Sequence, residues 1–530
     1  MSTAGPRVAV IGAGWAGLAC ARLLQESGVP VRIFEATRQL GGRARGLEIR
    51  LQGQALKLDN GQHLIIGAYR AVRTLLKRYA NDQHYAFKAP NFSIRHVRGG
   101  DPESEVSRFS TNREHAMALG QSAWMQQSQA MLSAEVFTRT AFGQALSRGL
   151  AQLSWLAGAQ RIPYRSLIEL ASLLRQARVR PPQSTCSIDE WLQGRGFREQ
   201  LVNRWIDALC ESALNCPRNQ ACALRLSTVL NEAMASAQFD ASHWMQQACD
   251  LGELLAQPLA FGKQNLARDN RFGALDLHEG KRVLKLRQVQ AGERNRPANP
   301  SWWLEVAGQE QMEGPYEHIV MALEPQQAAE LLARSALNTL EDLRDALGAL
   351  PKPLGILTRW LLLPKANRAS AQRKPQLLLQ NQGPAAWLFP RACPAAAEQQ
   401  ATHDGGSIAG LVISAQHDSV QARRHADEIQ QRFEIQAIDH KDIYEHRAAT
   451  PSTFGTQWPS FDRFRGQGLW LAGDWVDDGG EQCLPASLES ALRSASACAE
   501  ALSACLLDAH HPQSPWRSSS PVAIKSTVSK

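Results

Sequence analysis

A glycine-rich turn between an apolar strand and a helix constrains the fold of this chain more than any other feature of its sequence. The turn Gly12-Ala13-Gly14-Trp15-Ala16-Gly17 follows the apolar run Val8–Ile11, and a second apolar run, Val31–Phe34, ends at Glu35. This spacing is typical of a dinucleotide-binding βαβ unit. The first glycine allows the turn, the second lets the backbone approach a pyrophosphate, and the third lets helix and strand pack closely. We therefore predict a pyrophosphate at the helix N-terminus and a ribose contact from Glu35.

Composition places the chain among ordinary globular proteins and excludes several classes. The 530 residues are 44% hydrophobic and 20% charged, and no apolar run is long enough to span a bilayer. The first six residues lack the pattern of a signal peptide, so we expect a cytoplasmic protein. Ten cysteines without a C-x-x-C pair favour reduced thiols and no metal site. The formal net charge is +8, but the sequence contains no basic run with interleaved aromatic residues. This argues against a nucleic-acid-binding protein and leaves binding to an anionic membrane surface open.

Two further polar clusters follow the βαβ unit. In Leu40-Gly41-Gly42-Arg43-Ala44-Arg45, the paired glycines let the chain pass close to a cofactor, and Arg43 can place a fixed positive charge on a diphosphate. The second cluster is Leu58-Asp59-Asn60-Gly61-Gln62-His63. Its Asn-Gly turn predicts either an exposed hairpin or a turn that lies near a redox ring.

A last signal lies near the other end of the chain. The apolar run Leu469–Leu471 leads to Gly473 and Asp474, and Leu484-Pro485-Ala486-Ser487 precedes the final helical pattern. Asp474 is placed to bind the sugar-alcohol chain of a flavin, and the helix N-terminus is placed to stabilise negative charge on a reduced flavin. Since nicotinamide enzymes do not need such a second unit, the pair indicates FAD.

These signals predict an α/β fold with a discontinuous, Rossmann-type FAD-binding domain and a mixed, largely helical substrate-binding domain. We expect the FAD-binding domain to comprise residues 1–90, 257–323 and 455–510, and the substrate-binding domain to comprise residues 91–256 and 324–454. Residues 511–530, rich in Ser, Pro and Lys, predict a disordered tail.

Taken together, the motifs resemble the FAD-dependent amine oxidase and phytoene desaturase superfamily, over residues 7 to about 505. Within it, residues 58–63, the segment Gly67-Ala68-Tyr69-Arg70, Ala213-Leu214-Asn215 and the ending Leu484–Ala491 look like hydroxysqualene dehydroxylases, also called squalene-associated FAD-dependent desaturases. Two parts depart from the pattern. Residues 476–483 are longer and more acidic than the usual link, and residues 91–120 match poorly.

The resemblance implies a reaction of squalene and hopanoid biosynthesis. Hydroxysqualene, a C30 allylic alcohol, would lose its hydroxyl group and become squalene while reduced FAD is oxidised. The candidate catalytic residues are His63 and Gln62, with Glu489 as a further candidate acid. The candidate cofactor-binding residues are Gly12, Gly14, Trp15, Ala16, Gly17, Glu35, Ala36, Gly41, Gly42, Arg43, Asn60, Gly61, Gln62, Val289, Gly473, Asp474, Pro485, Ala486 and Ser487.

A C30 substrate needs an apolar channel and a route from a bilayer. Apolar side chains between residues 116 and 256 either line that channel or form plain helical core: Trp124, Met125, Met131, Leu153, Trp155, Leu156, Trp205, Trp244 and Met245. The basic, amphipathic segment 69–79 predicts reversible docking at the inner membrane surface, where the other enzymes of squalene synthesis are possible partners.

Two other functions stay open at this point. One is a flavin desaturase of a carotenoid or an amine oxidase, although the terminal motif lacks the neighbouring tyrosine that an aromatic cage requires. The other is a non-enzymatic FAD-binding protein tethered to a membrane complex. Turnover of the C30 alcohol by bound flavin distinguishes all three.

Overall fold

The structure is a computed structural model, and it describes residues 7–88, 91–97, 105–110, 159–160, 164–193, 200–233, 243–262, 273–289, 301–364, 375–380, 383–391, 407–480 and 482–508. The expected tail and six of the expected channel residues lie outside these ranges: Trp124, Met125, Met131, Leu153, Trp155 and Leu156. No helix within the described ranges is both long and apolar enough to cross a membrane.

Within the described residues the strands, β1 to β20 in chain order, are Val8–Ile11, Val31–Phe34, Gly46–Leu51, Gln54–Asp59, Tyr85–Lys88, Asn91–Val97, Glu105–Ser110, Ala159–Gln160, Trp244–Gln247, Leu275–His278, Val283–Val289, Ser301–Val306, Glu313–Tyr316, His318–Met321, Leu354–Leu363, Gln376–Gln380, Ala386–Pro390, Ser407–Gln416, Asp439–Ala449 and Leu469–Leu471. The α-helices are Trp15–Glu26, Arg70–Tyr79, Tyr164–Val179, Ile188–Leu192, Gln200–Leu209, Ala223–Ala233, Gln257–Phe261, Pro325–Ser335, Glu341–Gly348, Ser419–Arg432 and Leu488–Asp508. Two π-helical turns are Cys210–Leu214 and Gly252–Ala256.

A five-stranded parallel sheet in the order β10-β2-β1-β14-β20 carries the glycine-rich turn. Its central strands are apolar along their whole length because both faces are covered. Val8 and Val10 pack with the helices Trp15–Glu26 and Leu488–Asp508 on one face, whereas Ala9 and Ile11 pack with the helices Pro325–Ser335 and Glu341–Gly348 on the other. The sheet draws strands from both ends and the middle of the chain. This architecture confirms the predicted fold class.

An eight-stranded sheet stands beside the parallel one, in the order β19-β15-β18-β17-β16-β6-β7-β8. Strands β15 and β18 form its antiparallel centre, with Leu357 opposite Ile413. The helices Gln200–Leu209 and Ala223–Ala233 pack in one core cluster with the β16 residues Leu377 and Leu379. The second part of the molecule is therefore a sheet covered by helices.

Candidate functional site

In the glycine-rich turn, Gly12 and Gly17 have no room for a side chain, whereas Gly14 has room for a Cβ. A Cβ at Gly12, where φ is +105°, would lie 2.5 Å from the carbonyl oxygen of Ala322, and a Cβ at Gly17 would lie 2.0 Å from that of Gly12. A Cβ at Gly14 would meet nothing closer than the Cα of Gly42, at 4.0 Å. The protein itself therefore leaves the space above Gly14 open.

The second glycine pair lies directly against this turn. The N–H of Gly41 donates to the carbonyl oxygen of Ala13 at 2.9 Å, and Gly14 and Gly41 form a parallel bridge. A Cβ at Gly42 would lie 3.1 Å from the Cα of Gly14. The two motifs that the sequence separates by 30 residues thus form one continuous backbone cradle, with Trp15 and Ala16 buried beneath it at the start of the helix.

Glu35 borders this cradle at the end of β2. Its carboxylate accepts hydrogen bonds from the N–H of Ala13 at 2.8 Å and from the N–H of Thr37 at 2.9 Å, while Ala36 beside it is exposed. Glu35, the predicted ribose-binding residue, therefore stabilises the glycine-rich turn. Val289 ends β11 and pairs with Ser301 in a separate three-stranded sheet.

Arg43 and Asp474, named as cofactor-binding residues from opposite ends of the chain, form an ion pair. The guanidinium Nη2 lies 2.6 Å from the Asp474 carboxylate. The other terminal nitrogen, Nη1, is buried and has no hydrogen-bond partner among the described residues. Gly473 is held by the Ser494 hydroxyl, which accepts from its N–H at 3.0 Å. Strand β20 and the Gly41-Gly42 turn thereby meet at one point.

The loop before the last helix is also well ordered by hydrogen bonds. Ser487 is placed at the helix N-terminus, where its hydroxyl accepts from the N–H of Ser490 at 3.2 Å. The N–H of Ala486 donates to the Ser452 hydroxyl at 3.0 Å. A serine in this position satisfies a free N–H group of the first turn, so Pro485, Ala486 and Ser487 present a fixed helix start.

The polar turn at 58–63 is anchored by Asp59, which is fully buried. Its carboxylate lies 3.0 Å from Arg391, and it accepts from Gln247 and from the N–H of Leu251, each at 2.7 Å. Burial raises the pKa of Asp59 to about 6, and the Arg391 charge acts in the opposite direction. The following Asn60 donates to Glu445 at 3.1 Å. Asp59 is thus an anchor, and the next four residues face the cavity.

His63 is fixed in one tautomer by the turn that contains it. Its Nδ1 lies 2.7 Å from the carbonyl oxygen of Gly61, and because a carbonyl can only accept, Nδ1 carries the proton and Nε2 keeps its lone pair. Burial lowers the pKa of His63, which favours the neutral ring. Gln62 is nearby, with its side-chain amide 3.4 Å from the His63 carbonyl oxygen.

A cavity of about 370 Å³ is lined by these groups and by apolar side chains. The polar turns and loops contribute Arg43, Asn60, Gly61, Gln62, His63, Asp474, Pro485, Ala486 and Ser487 to the lining. The apolar and aromatic part of the lining includes Leu209, Ala213, Val229, Leu230, Val412, Trp205, Trp244, Trp387 and Phe389. Of the described channel candidates, Trp205 and Trp244 line the cavity, while Met245, in β9, is buried in the core.

Each charged side chain among the described lining residues has a partner of its own. Besides Arg43 with Asp474, Arg70 pairs with Glu232 at 3.0 Å and Arg493 with Asp478 at 2.6 Å. The Glu489 carboxylate accepts from the N–H groups of Ala71 and Val72 and thereby caps the helix Arg70–Tyr79. Glu445 accepts from Asn60. Each of the three arginines in the described lining is therefore paired with a carboxylate, whereas the Glu489 carboxylate is satisfied by backbone N–H groups.

Three features of the site lie in segments that the sequence analysis named without assigning these residues a role. Tyr69 lines the cavity, hydrogen-bonded to Ser487, and burial raises the pKa of its phenol to about 12. Asn215 adopts a left-handed conformation and donates to the carbonyl oxygens of Leu354 and Ala449. In residues 476–483 the side chain of Gln482 bridges Glu232 and Arg493. Of the three, only Asn215 could have been recognised from its residue type, because asparagine is common in turns and tolerates the left-handed conformation.

Glu211 in the π-helical turn beside the cavity makes stability depend on pH. It accepts from the N–H of Ala385 at 3.0 Å, and burial raises its pKa from 4.5 to about 7. A carboxyl group with a raised folded-state pKa costs stability as the pH rises through the interval from the unfolded to the folded value. We expect Glu211→Gln to gain about 1–2 kcal/mol at about pH 8 and nothing at about pH 4. Urea unfolding at the two pH values tests this, and an equal gain at both contradicts it.

The chain resembles known proteins in sequence and in fold. A profile of the family described as flavin containing amine oxidoreductase matches residues 15–352, which is more than half of the chain. Hydroxysqualene dehydroxylase of Zymomonas mobilis is 37% identical over 81 residues (15% of this chain, 19% of the relative), and that of Sinorhizobium fredii is 42% identical over 66 residues (12% and 15%). Carotenoid phi-ring synthase of Streptomyces griseus is 37% identical over 95 residues (18% of each). These matches span less than a fifth of each relative.

Solved structures resemble the whole chain in fold. Cyclohexylamine oxidase of Brevibacterium oxydans has a TM-score of 0.58 at 14% identity, covering 95% of this chain and all of the other. An oxidoreductase of Methanosarcina mazei has a TM-score of 0.56 at 13% identity, covering 93% and 99%. At such identities the likeness concerns the fold alone.

Proposed function

We propose the reaction of this chain from one premise: it belongs to the flavin containing amine oxidoreductase family and is an FAD-dependent oxidoreductase. Within that family we assign to it the reductive removal of the hydroxyl group of hydroxysqualene, which gives squalene. The two curated relatives named hydroxysqualene dehydroxylase support this assignment, each over a short stretch of sequence.

Two observations support FAD in the glycine cradle. The space that a Cβ at Gly14 would occupy is open although its neighbours are tightly packed, as close approach of a pyrophosphate requires. Arg43 has a buried nitrogen without a partner beside Asp474, and a guanidinium suits a phosphate. We therefore assign the diphosphate to Gly14, Gly42 and Arg43, the ribose to Glu35, and the flavin end to Asp474 and residues 485–487.

The observation that carries the proposed substrate class is that each arginine of the described cavity lining is paired with a carboxylate, and that the carboxylates are themselves ion-paired or hydrogen-bonded. An arginine without a carboxylate would suit a diphosphate ester, and a carboxylate without any partner would suit an ammonium ion. The described lining instead combines partnered charges with aromatic and aliphatic side chains. Such a cavity favours a neutral, mainly apolar molecule with one polar group, and an alcohol of an isoprenoid hydrocarbon has this character.

The side chains of the cavity have distinct roles in this reaction. FAD in its reduced form supplies a hydride when bound. A proton from solvent lets the hydroxyl group leave as water, and the allylic carbon that loses it would accept the hydride while the apolar walls keep water away. His63 keeps its lone pair at Nε2. We therefore propose that this nitrogen orients the alcohol by accepting a hydrogen bond from its O–H group. We assign to Gln62 donation of a hydrogen bond to the departing oxygen. Glu489 serves the helix cap, which leaves it a poor candidate for the acid.

Anaerobic turnover of the purified protein tests the proposal. Photoreduced holoenzyme mixed with hydroxysqualene should recover the spectrum of oxidised flavin and yield one squalene per flavin, measured by gas chromatography. Enzyme without photoreduction is the control and should yield none. Stable reduced flavin in the presence of the alcohol would overturn the assignment.

A carotenoid desaturase-type reaction is the second candidate, because the carotenoid phi-ring synthase match is as long as the others. In that case oxidised holoenzyme should be reduced by a carotenoid precursor without any prior photoreduction. The direction of the flavin spectral change therefore separates the two functions.

The C30 substrate favours reversible docking at an anionic membrane. The segment 69–79 can contribute to this docking only through its basic side chains. Its apolar residues Val72, Leu75 and Leu76 are buried in the protein core and cannot insert into the membrane. Arg70 and Arg78 are held by Glu232 and Glu26. We expect co-sedimentation with phosphatidylglycerol vesicles at low salt and release at high salt, at about 1 kcal/mol per basic residue. Vesicles of neutral lipid are the control, and absence of binding at low salt would contradict docking.

A further inference from the structure

Arg225 is a buried arginine behind the loop that faces the flavin end of the cavity. It lies on the helix Ala223–Ala233, and only 4% of its surface is exposed. Its guanidinium carbon lies 3.5 Å from the ring centroid of Trp458, and one terminal nitrogen donates to the carbonyl oxygen of Leu484. The side chain is thus fixed by a cation–π contact and a hydrogen bond.

The charge of Arg225 has no carboxylate partner within 4.0 Å among the described residues, in contrast to Arg43, Arg70 and Arg493. Burial lowers the pKa of Arg225, but an arginine keeps its proton in proteins. Asp477 attracts the Arg225 charge only from beyond that distance, and a buried charge without a directly paired opposite charge is costly for the folded protein. Its presence at this place therefore needs an explanation beyond packing.

The position of Arg225 supplies that explanation. Leu484, its acceptor, directly precedes Pro485, Ala486 and Ser487, which line the cavity. The same loop is held from another side by Ser452, whose hydroxyl accepts from the N–H of Ala486 and whose carbonyl oxygen accepts from the N–H of Cys222. The guanidinium and the start of the helix Leu488–Asp508 thus place positive potential at one wall of the cavity.

We infer that Arg225 is a positioning residue for the cofactor: it holds the loop 484–487 in place, and its charge stabilises FAD in the reduced, anionic state relative to the oxidised state. Reduction by two electrons and one proton leaves one additional negative charge on the flavin at neutral pH. A buried cation behind the loop compensates that charge, as charges near a flavin are known to tune its electronics. This inference rests on the placement of FAD proposed above and not on the identity of the substrate.

Redox titration of the holoenzyme tests the inference. Arg225→Met removes the charge and keeps much of the side-chain volume. We expect it to lower the stability of reduced relative to oxidised FAD roughly tenfold, a shift of the midpoint potential by about 30 mV to more negative values. Arg225→Lys keeps the charge and should restore most of the shift. The matched control is Arg218→Met, which removes a partly exposed arginine paired with Asp189 and should leave the potential unchanged.

The possible results separate clearly. An unchanged potential in FAD-loaded Arg225→Met protein overturns the inference, and so does an Arg225→Lys protein that is shifted as far as the Met variant. If the Met variant does not fold, Arg225→Gln replaces it as the variant without the charge and must show the same shift of the midpoint potential. A shifted potential together with failure of the wild-type enzyme to reduce hydroxysqualene would refute the proposed substrate and leave the role of Arg225 in place.

Discussion

Gly14→Val should yield a folded protein that carries no FAD. A Cβ at Gly14 would have the Cα of Gly42, at 4.0 Å, as its nearest protein atom, so the first added carbon makes only ordinary van der Waals contact. The added side chain instead fills the space that we assign to the pyrophosphate, and we expect FAD affinity to fall roughly 100-fold or more. The flavin-to-protein ratio of the purified variant, with circular dichroism to establish folding, measures this.

A second glycine provides the control for this substitution. Gly348, at the end of the helix Glu341–Gly348, also has nothing within 4 Å of a built Cβ, so Gly348→Val should fold and retain its flavin. Gly17→Val, by contrast, should fail to fold, since its Cβ would lie 2.0 Å from the Gly12 carbonyl oxygen. A fully loaded, yellow Gly14→Val protein would place the pyrophosphate elsewhere.

Arg391→Met should produce a large loss of stability. Arg391 pairs with Asp59 at 3.0 Å, and both side chains are buried, so removal of the arginine leaves a carboxylate without an opposite charge. Such a change costs about 3–5 kcal/mol. Exposed Arg465, which lies 3.5 Å from Asp462, is the matched control, and Arg465→Met should cost less than about 1 kcal/mol.

The pH dependence of Arg391→Met tests the cause of its instability. Burial already raises the pKa of Asp59 to about 6, and loss of Arg391 raises it further. The variant should therefore be closer to wild type at about pH 5, where Asp59 is largely protonated, than at about pH 8. Addition of Asp59→Asn should recover much of the loss at the higher pH. An equal loss at both pH values, measured by urea unfolding, would show that packing and not charge is responsible.

The parallel sheet could be predicted because its information is local. Each of Val8–Ile11 and Val31–Phe34 is a short apolar run bounded by turn residues, and both strands are found as predicted. Within the eight-stranded sheet, the apolar runs 354–363 and 408–414 also predict strands from sequence alone, and they lie in β15 and β18. Its polar edge strand Asp439–Ala449 shows no apolar alternation, since most of its residues are partly or fully exposed. The strand structure of Asp439–Ala449 depends on its pairing with β15 more than on its own sequence.

The residues of the candidate site were easier to name than to connect. Glycines and polar turns carry strong local signals, so Gly14, Gly42 and the turn 60–63 stand out in the sequence. The ion pair of Arg43 with Asp474 joins two motifs that lie far apart in the sequence. No local sequence pattern indicates that these two side chains meet. For the same reason Arg225 gave no signal, since an arginine on an amphipathic helix resembles a solvated one until its neighbours are known.

The joining of the two chain ends also has a consequence for biogenesis. The helix Trp15–Glu26, which follows the glycine turn, packs against the helix Leu488–Asp508, and the Arg43 side of the cradle is completed by Asp474. During translation the N-terminal βαβ unit leaves the ribosome long before either partner exists. The apolar face of the first helix therefore stays uncovered until residues 488–508 have been synthesised. A nascent chain that stops before residue 474 lacks the carboxylate that pairs with Arg43.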